Sequence, residues 1–205
     1  MSHTIYTTEG FILKSVNFGE ANKYFFIFTH EFGLIKAAAQ GVRHLKSKLR
    51  YGLEDYSLAQ VSVVRGREIW RLTSAEKILA LRLCEGNPEA IQTEKFLLLS
   101  RIFALLLRLL HGEERNDLLF ESVKEGMIFL ESLETSRLNL DVDLANFECI
   151  LALRILSSLG YIGKLGDFDK FTTSPYFTLE LLGEMNTLKT RAILEINKSL
   201  KETHL

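Results

Sequence analysis

The apolar pattern of this chain changes its period once, near Ser74, and that change decides what can form on either side of it. Before it, short runs of aromatic and β-branched residues are separated by glycine turns, as in strands. After it, apolar residues recur at helical spacing. The expected class is α+β and multidomain, with a small β domain over residues 1–78 and an all-α domain over residues 79–205. At 205 residues, with 47% hydrophobic and 25% charged content, the chain is long enough for two cores.

Five strands are expected in the first part. Thr4 to Asn17 closes at Phe18-Gly19-Glu20, a turn sequence, and Lys23 to Thr29 is followed by His30-Glu31-Phe32-Gly33 and a third strand, Leu34 to Ala39. Tyr56 to Val64, the turn Arg65-Gly66-Arg67, and Glu68 to Thr73 form a second hairpin. Five short strands in this length match a small closed barrel such as the OB-fold. In the second strand, either Tyr24, Phe26 and Phe28 or Phe25 and Ile27 fill the barrel.

Helices are expected from Ser74 toward Cys84, ending at Gly86-Asn87-Pro88; from Thr93 to about His111, stopped by Gly112; over 117–133; over 143–159, stopped by Gly160; and over 187–202. The second of these is apolar enough to invite a membrane reading. Glu94, Arg101 and Arg108 recur every seven residues as a polar stripe, however, and an arginine at mid-span costs about 2.5 kcal/mol or more. It reads as a bundle helix. The two cysteines, Cys84 and Cys149, fall in apolar helical surroundings and exclude a disulfide framework and a cysteine-based zinc site. A reducing, cytoplasmic setting fits, and the N-terminus has no export signal.

The near-neutral net charge of -1 conceals an asymmetry. Residues 1–80 hold 11 Lys and Arg against 7 Asp and Glu, whereas residues 81–205 hold 14 against 19. The basic excess concentrates in Gly41 to Arg50, which lies within an acid-free run from Phe32 to Leu53. Such a loop suits phosphate backbones, because Lys and Arg release condensed counterions whatever the base sequence. The candidate contacts are Lys36, Arg43, His44, Lys46, Lys48 and Arg50, with Arg65 and Arg67 in a turn expected beside the loop. Tyr24, Phe26 and Trp70 are candidate stacking faces for bases.

Enzyme chemistry finds no support. A glycine-rich phosphate loop, GxSxG and HExxH are all missing from the sequence. The acidic pairs Asp141/Asp143 and Asp167/Asp169 read as a helix N-cap and a polar loop rather than metal ligands, and His3, His30, His111 and His204 as surface histidines.

Several segments then resemble one family in order and spacing. They are Tyr6-Thr7-Thr8-Glu9-Gly10-Phe11-Ile12-Leu13-Lys14, Phe18-Gly19-Glu20-Ala21-Asn22-Lys23, Phe28 to Gly33, Gly41-Val42-Arg43 with Lys46-Ser47, and Leu72 to Glu76. Phe147-Glu148 with Leu156 to Tyr161 extends the match. Together they look like the bacterial DNA repair and recombination family RecO. The resemblance implies an OB-fold on a helical domain, binding of single- and double-stranded DNA, strand annealing, and loading of recombinase with RecR in RecF-type homologous recombination after DNA damage. It further implies contact with the C-terminal tail of SSB, indirect contact with RecA, and a cytoplasmic, nucleoid-associated location.

Three positions depart from the family pattern. Leu165-Gly166-Asp167-Phe168-Asp169 stands where many relatives carry a first cysteine pair, so no zinc or other cofactor is expected. Gln40 replaces a usual lysine, and Asn146 a basic residue that bears on the SSB contact. The chain ends at Leu205, before the basic C-terminal segment of many relatives. A different class of function is a protein-interaction scaffold whose OB barrel has little DNA affinity, and an RNA-binding OB module is a third.

Overall fold

The computed structural model describes residues 4–81, 89–133, 140–163 and 166–202. Cys84, the Gly86-Asn87-Pro88 break, Leu165, His3, His204 and the side chain of Asp141 lie outside what it describes. The chain forms two compact units, one of Met1–Ala80 with Phe103–Asp117 and one of Leu81–Ile102 with Leu118–Leu205.

The first unit is an OB-type closed barrel of five strands in the order β1-β2-β3-β5-β4. Its strands are β1 (Ile5–Phe18), β2 (Asn22–Thr29), β3 (Gly33–Ala39), β4 (Leu58–Val64) and β5 (Trp70–Leu79). Closure depends on β1, a strand of 14 residues. Its first half pairs with β4, from Ile5 opposite Val64 to Phe11 opposite Leu58, and its second half pairs with β2, ending at Phe18 opposite Asn22. A bulge between Ile12 and Lys14 bends the strand from one partner to the other.

Ile12, Phe25, Ile27, Ile35, Ala37, Val61, Val63 and Leu72 fill the barrel. Phe25 and Ile27 are therefore the inward residues of β2, and Tyr24 and Phe26 face outward. Phe28 shares the outer side yet is buried. Its ring stacks on Phe11 at 6.3 Å, and Phe11 meets Phe103 edge-on at 5.8 Å, so the helix segment from Phe103 covers one part of the outer sheet.

The helix expected from Ser74 is strand instead. β5 runs to Leu79 because its backbone pairs with β4 as far as Leu58 opposite Leu79. A ladder of cross-strand bonds outweighs the helix-opening look of Ser74-Ala75-Glu76-Lys77. Between β3 and β4 lies the single turn α1 (Leu49–Gly52). Gly52 approaches β5 so closely that an added Cβ would stand 2.2 Å from the Ala75 carbonyl oxygen.

In the second unit, the helices are α2 (Glu89–Leu109, whose last residues belong to the first unit), α3 (Asp117–Ser132), α4 (Leu140–Ser158), α5 (Asp169–Thr173) and α6 (Leu179–Glu202). α4 starts before Asp143, which lies in its first turn and not at an N-cap. α6 starts eight residues before the expected Thr187, because the Thr178 hydroxyl accepts the Leu181 N–H at 3.1 Å and caps it. Gly160 follows α4 at φ 76°, with the Tyr161 N–H donating to the Leu156 carbonyl at 2.9 Å. Cys149 is buried in α4, and burial pushes its thiol up to about 11.

The segment from Gly166 to Phe177 is held by a cation. Arg154 of α4 donates from Nε to the Phe171 carbonyl at 2.8 Å and from Nη2 to the Tyr176 carbonyl at 3.2 Å, and its guanidinium lies 3.9 Å from the Phe177 ring centre. Burial pushes this guanidinium down to about 10. Phe168 and Phe171 are buried beside it, Asp167 of the 3-10 turn Gly166–Phe168 pairs with Arg191, and Lys170 pairs with Glu184.

Two stability outcomes follow from these contacts. Gly52→Ala must displace α1 from β5 and should destabilise by about 1–3 kcal/mol, as overpacking does elsewhere. Arg154→Ala leaves two inward carbonyls without their donor and should cost roughly 2–4 kcal/mol, with Arg154→Lys recovering part of it. Urea unfolding of each variant measures both, and a change below about 0.5 kcal/mol, the scatter of neutral surface changes, would contradict either account.

Candidate nucleic-acid interface

The basic segment leaves β3 at its C-terminal end and is built as a run of turns rather than a slack loop. Gly41 takes φ 65°, a left-handed backbone that favours glycine. Its N–H donates to Asn22 Oδ1 at 2.8 Å, and the Arg43 N–H donates to the Ala21 carbonyl at 3.0 Å. These bonds tie the segment to the β1–β2 hairpin. Val42 is buried in the barrel core, and Leu49 packs on the same core. Further turns follow, with the His44 N–H on the Gly41 carbonyl at 3.1 Å and the Ser47 N–H on the His44 carbonyl at 3.0 Å.

Two apolar anchors thus hold a backbone whose polar side chains face outward. Arg43, His44, Lys46, Lys48 and Arg50 are all exposed. Arg43 also donates from Nη1 to the Gly19 carbonyl at 3.3 Å, which brings its charge to the hairpin tip. Lys36 is exposed on the outer face of β3, opposite Phe26, with its Nζ 4.4 Å from the centre of the Tyr24 ring. That distance is within cation–π range.

Other candidates do not join this group. The parallel pairing of Trp70 with Ala37 and of Arg71 with Ala38 carries β5 toward the C-terminal end of β3. By that parallel register the Arg65-Gly66-Arg67 turn, which precedes Trp70, lies back toward the N-terminal half of β3 and not beside the basic loop. Arg65 is 67% exposed and already has an acid, Glu113 Oε2 at 3.1 Å, while its guanidinium sits 5.2 Å from the Trp70 ring centre. Arg67 is exposed at the same turn. Trp70 is only 3% exposed, donates from Nε1 to Glu113 Oε1 at 2.8 Å, and packs 4.9 Å from Phe32. A buried ring has no face to give a base, which removes Trp70 from the stacking candidates.

The structure brings forward residues the sequence reading passed over. Lys14 pairs with Phe26 and is exposed, and Arg71 is exposed next to Ala38, so both share the outer face with Lys36. Strict alternation from the inward Trp70 would have pointed to Arg71; Lys14 was hidden by the bulge, which breaks alternation in β1. Phe18, at the end of β1, is exposed with its ring 4.6 Å from that of Tyr24.

The second unit has a different character. A cleft of about 530 Å³ runs beside α3 and α4, with Glu121, Glu125, Ser122 and Ser157 in its wall together with Arg154, whose guanidinium is already bonded to two carbonyls. Its two acids disfavour a polyanion. Asn146 is fully buried and donates from Nδ2 to the Leu182 carbonyl at 3.0 Å, so it is a core residue with no surface to offer a partner. His30, in the turn after β2, is partly exposed and lies between Glu31 and Asp117, at 3.6 and 3.3 Å. Among the described residues no cluster of three or more His, Cys, Asp or Glu side chains has the geometry to hold a metal ion. The residues around Arg154 do not suit zinc, since carbonyls there face a guanidinium and the cysteine among the described residues, Cys149, is a buried thiol within α4.

Comparison with known proteins bears on the barrel. The family described as recombination protein O N terminal matches residues 1–80. The chain is similar to a DNA repair protein RecO of Rubrobacter xylanophilus, 32% identical over 88 residues that make up 43% of this chain and 36% of that protein. A DNA repair protein RecO of Alkaliphilus metalliredigens is 30% identical over 133 residues, 57% of this chain and 52% of that protein. One of Caldanaerobacter subterraneus is 27% identical over 157 residues, 76% of this chain and 58% of that protein. The chain thus spans 36–58% of the length of these curated relatives. Over its residues 1–80, the chain is thus similar to the N-terminal part of recombination protein O (RecO).

Proposed function

We propose that this protein is a non-enzymatic DNA repair and homologous recombination mediator that binds DNA backbones through the basic segment of its OB barrel. The observation that carries the reading is the anchored loop from Gly41 to Arg50, which presents Arg43, Lys46, Lys48 and Arg50 to solvent on a barrel of the RecO type. Relatives named DNA repair protein RecO support the same role. Phosphate contacts of this kind supply affinity without sequence preference, which a protein acting on arbitrary damaged strands requires.

The finer activities belong to the same proposal. They are binding of single- and double-stranded DNA, annealing of complementary strands, and loading of RecA through RecR. The helical unit, acidic in balance, is the docking side for protein partners. Contact with the SSB tail would have to use residues other than the buried Asn146. A bacterial cytoplasmic, nucleoid-associated site follows from the role, and among the described residues no helix is long and apolar enough to cross a membrane.

No metal is part of the proposal, since Arg154 occupies the bonding capacity of the segment in question. Exhaustive chelation is accordingly expected to leave the thermal midpoint unchanged. A fall of several degrees with EDTA, restored by zinc, would reverse that view.

Fluorescence anisotropy of a labelled single-stranded oligonucleotide over a salt series tests the main reading. Binding should weaken linearly on a log-log scale by roughly 0.7 per phosphate contact, and the Arg43→Ala, Lys46→Ala, Lys48→Ala triple variant should flatten the slope by about 2. Absence of binding by the wild type at low salt would instead favour the protein-interaction scaffold, for which capture of RecR without DNA is the corresponding result.

A further inference from the structure

Phe18 is 49% exposed at the last position of β1. Its ring lies 4.6 Å from that of Tyr24, tilted by 31°. Tyr24 has the Lys36 ammonium 4.4 Å from its ring centre, and the same ammonium is 5.9 Å from the centre of Phe26. Phe18, Tyr24, Lys36 and Phe26 thus form one row across the outer faces of β1, β2 and β3. Tyr24 is engaged by both Phe18 and Lys36, whereas Phe18 ends the row with its ring open to solvent.

The position of that open ring is specific. The next residue, Gly19, accepts the Arg43 guanidinium through its carbonyl at 3.3 Å, so the ring stands beside the first cation of the basic loop. Lys14 and Arg71 are exposed on the same outer side, and Glu20 at the hairpin tip is the neighbouring acid. An exposed flat ring among cations is complementary to a polyanion whose repeating units carry flat rings of their own. In a duplex each base face is covered by the adjacent base pair. Only an unpaired strand has faces to offer.

We propose that Phe18 takes an unpaired base of single-stranded DNA while the adjoining phosphates rest on Arg43 and the loop, giving single strands an advantage over duplex. This rests on the phosphate-binding reading above, and adds to it a contact that phosphates alone cannot supply. The row behind Phe18 holds its ring in place, so little side-chain freedom is lost on binding.

The test compares three probes of equal length at one salt concentration: oligo-dT, an abasic strand with the same phosphates, and a duplex. Oligo-dT should bind the wild type at least about fivefold more tightly than the abasic strand, the equivalent of one stacked base. Phe18→Ala and Phe18→Leu should both remove that margin and leave the salt slope unchanged; the leucine keeps an apolar contact with Tyr24 but has no flat face. Duplex affinity should not change in either variant. Equal binding of oligo-dT and abasic strand by the wild type, or a margin that survives in Phe18→Leu, overturns the base contact and leaves the phosphate reading standing. Failure of the wild type to bind any of the three at low salt overturns the phosphate reading itself.

Discussion

Two residue pairs, Ala37 with Trp70 and Ala38 with Arg71, join β3 to β5 in parallel and close the barrel. Parallel neighbours cannot be linked by a tight hairpin. The chain leaving β3 must cross to β4 first, and the stretch from Gln40 to Ser57 does so over the end of the barrel. The basic segment occupies this crossing. Its exposure is therefore a consequence of strand order, and Val42 and Leu49 dip into the core to keep the crossing short and fixed. Gly52 and Ala75 complete the constraint, since their close approach seats α1 on β5 and sets where the loop must end.

The same strand order sorts the cations. Those on the crossing and on the outward positions of β3 and β5 meet solvent together, while Arg65, at the β4–β5 turn, meets Glu113. A surface pair of this kind contributes at most about 1 kcal/mol to stability. Its larger effect is on the local potential, because a neutralised arginine releases no counterions to a polyanion. Net charge near zero for the whole chain is thus compatible with a strongly basic patch. The compensating acids are in residues 81–205, which hold 14 Lys and Arg against 19 Asp and Glu, with Glu113, the partner of the β4–β5 turn, among them.

Much of this was readable from the residues. Turn glycines and β-branched runs located all five strands, and the acid-free stretch located the loop, because both signals are local. The end of β5 was not readable. Ser74-Ala75-Glu76-Lys77 carries a local helix preference, and only the presence of β4 alongside, invisible in one dimension, makes it strand. Trp70 failed as a stacking candidate for a related reason. Its residue type favours nucleic-acid contact, but its register opposite Ala37 turns it inward, and Glu113, 43 positions away, takes its only polar hydrogen. Phe18 went unremarked because a phenylalanine before Gly19 reads as the end of a strand, and its exposure depends on where the bulge at Ile12 and Lys14 sends the last residues of β1.

The helical unit shows how one local constraint can be met by different chemistry. The stretch from Gly166 to Phe177 is a 3-10 turn, the short helix α5 and an irregular tail, and its Phe171 and Tyr176 carbonyls need a donor from elsewhere. Thiolates and a metal hold such a stretch by cross-linking the chain. Arg154 does it with a planar fork fixed to α4, two carbonyl acceptors and an aromatic face beneath the guanidinium. The desolvation that lowers its affinity for the proton is the cost of placing a cation there, offset by hydrogen bonds that a lysine's single nitrogen would not reproduce in the same geometry. Because the guanidinium belongs to the same helix as Phe147 and Asn146, the segment is tied to the core of the unit. Its order is thereby coupled to the folding of α4.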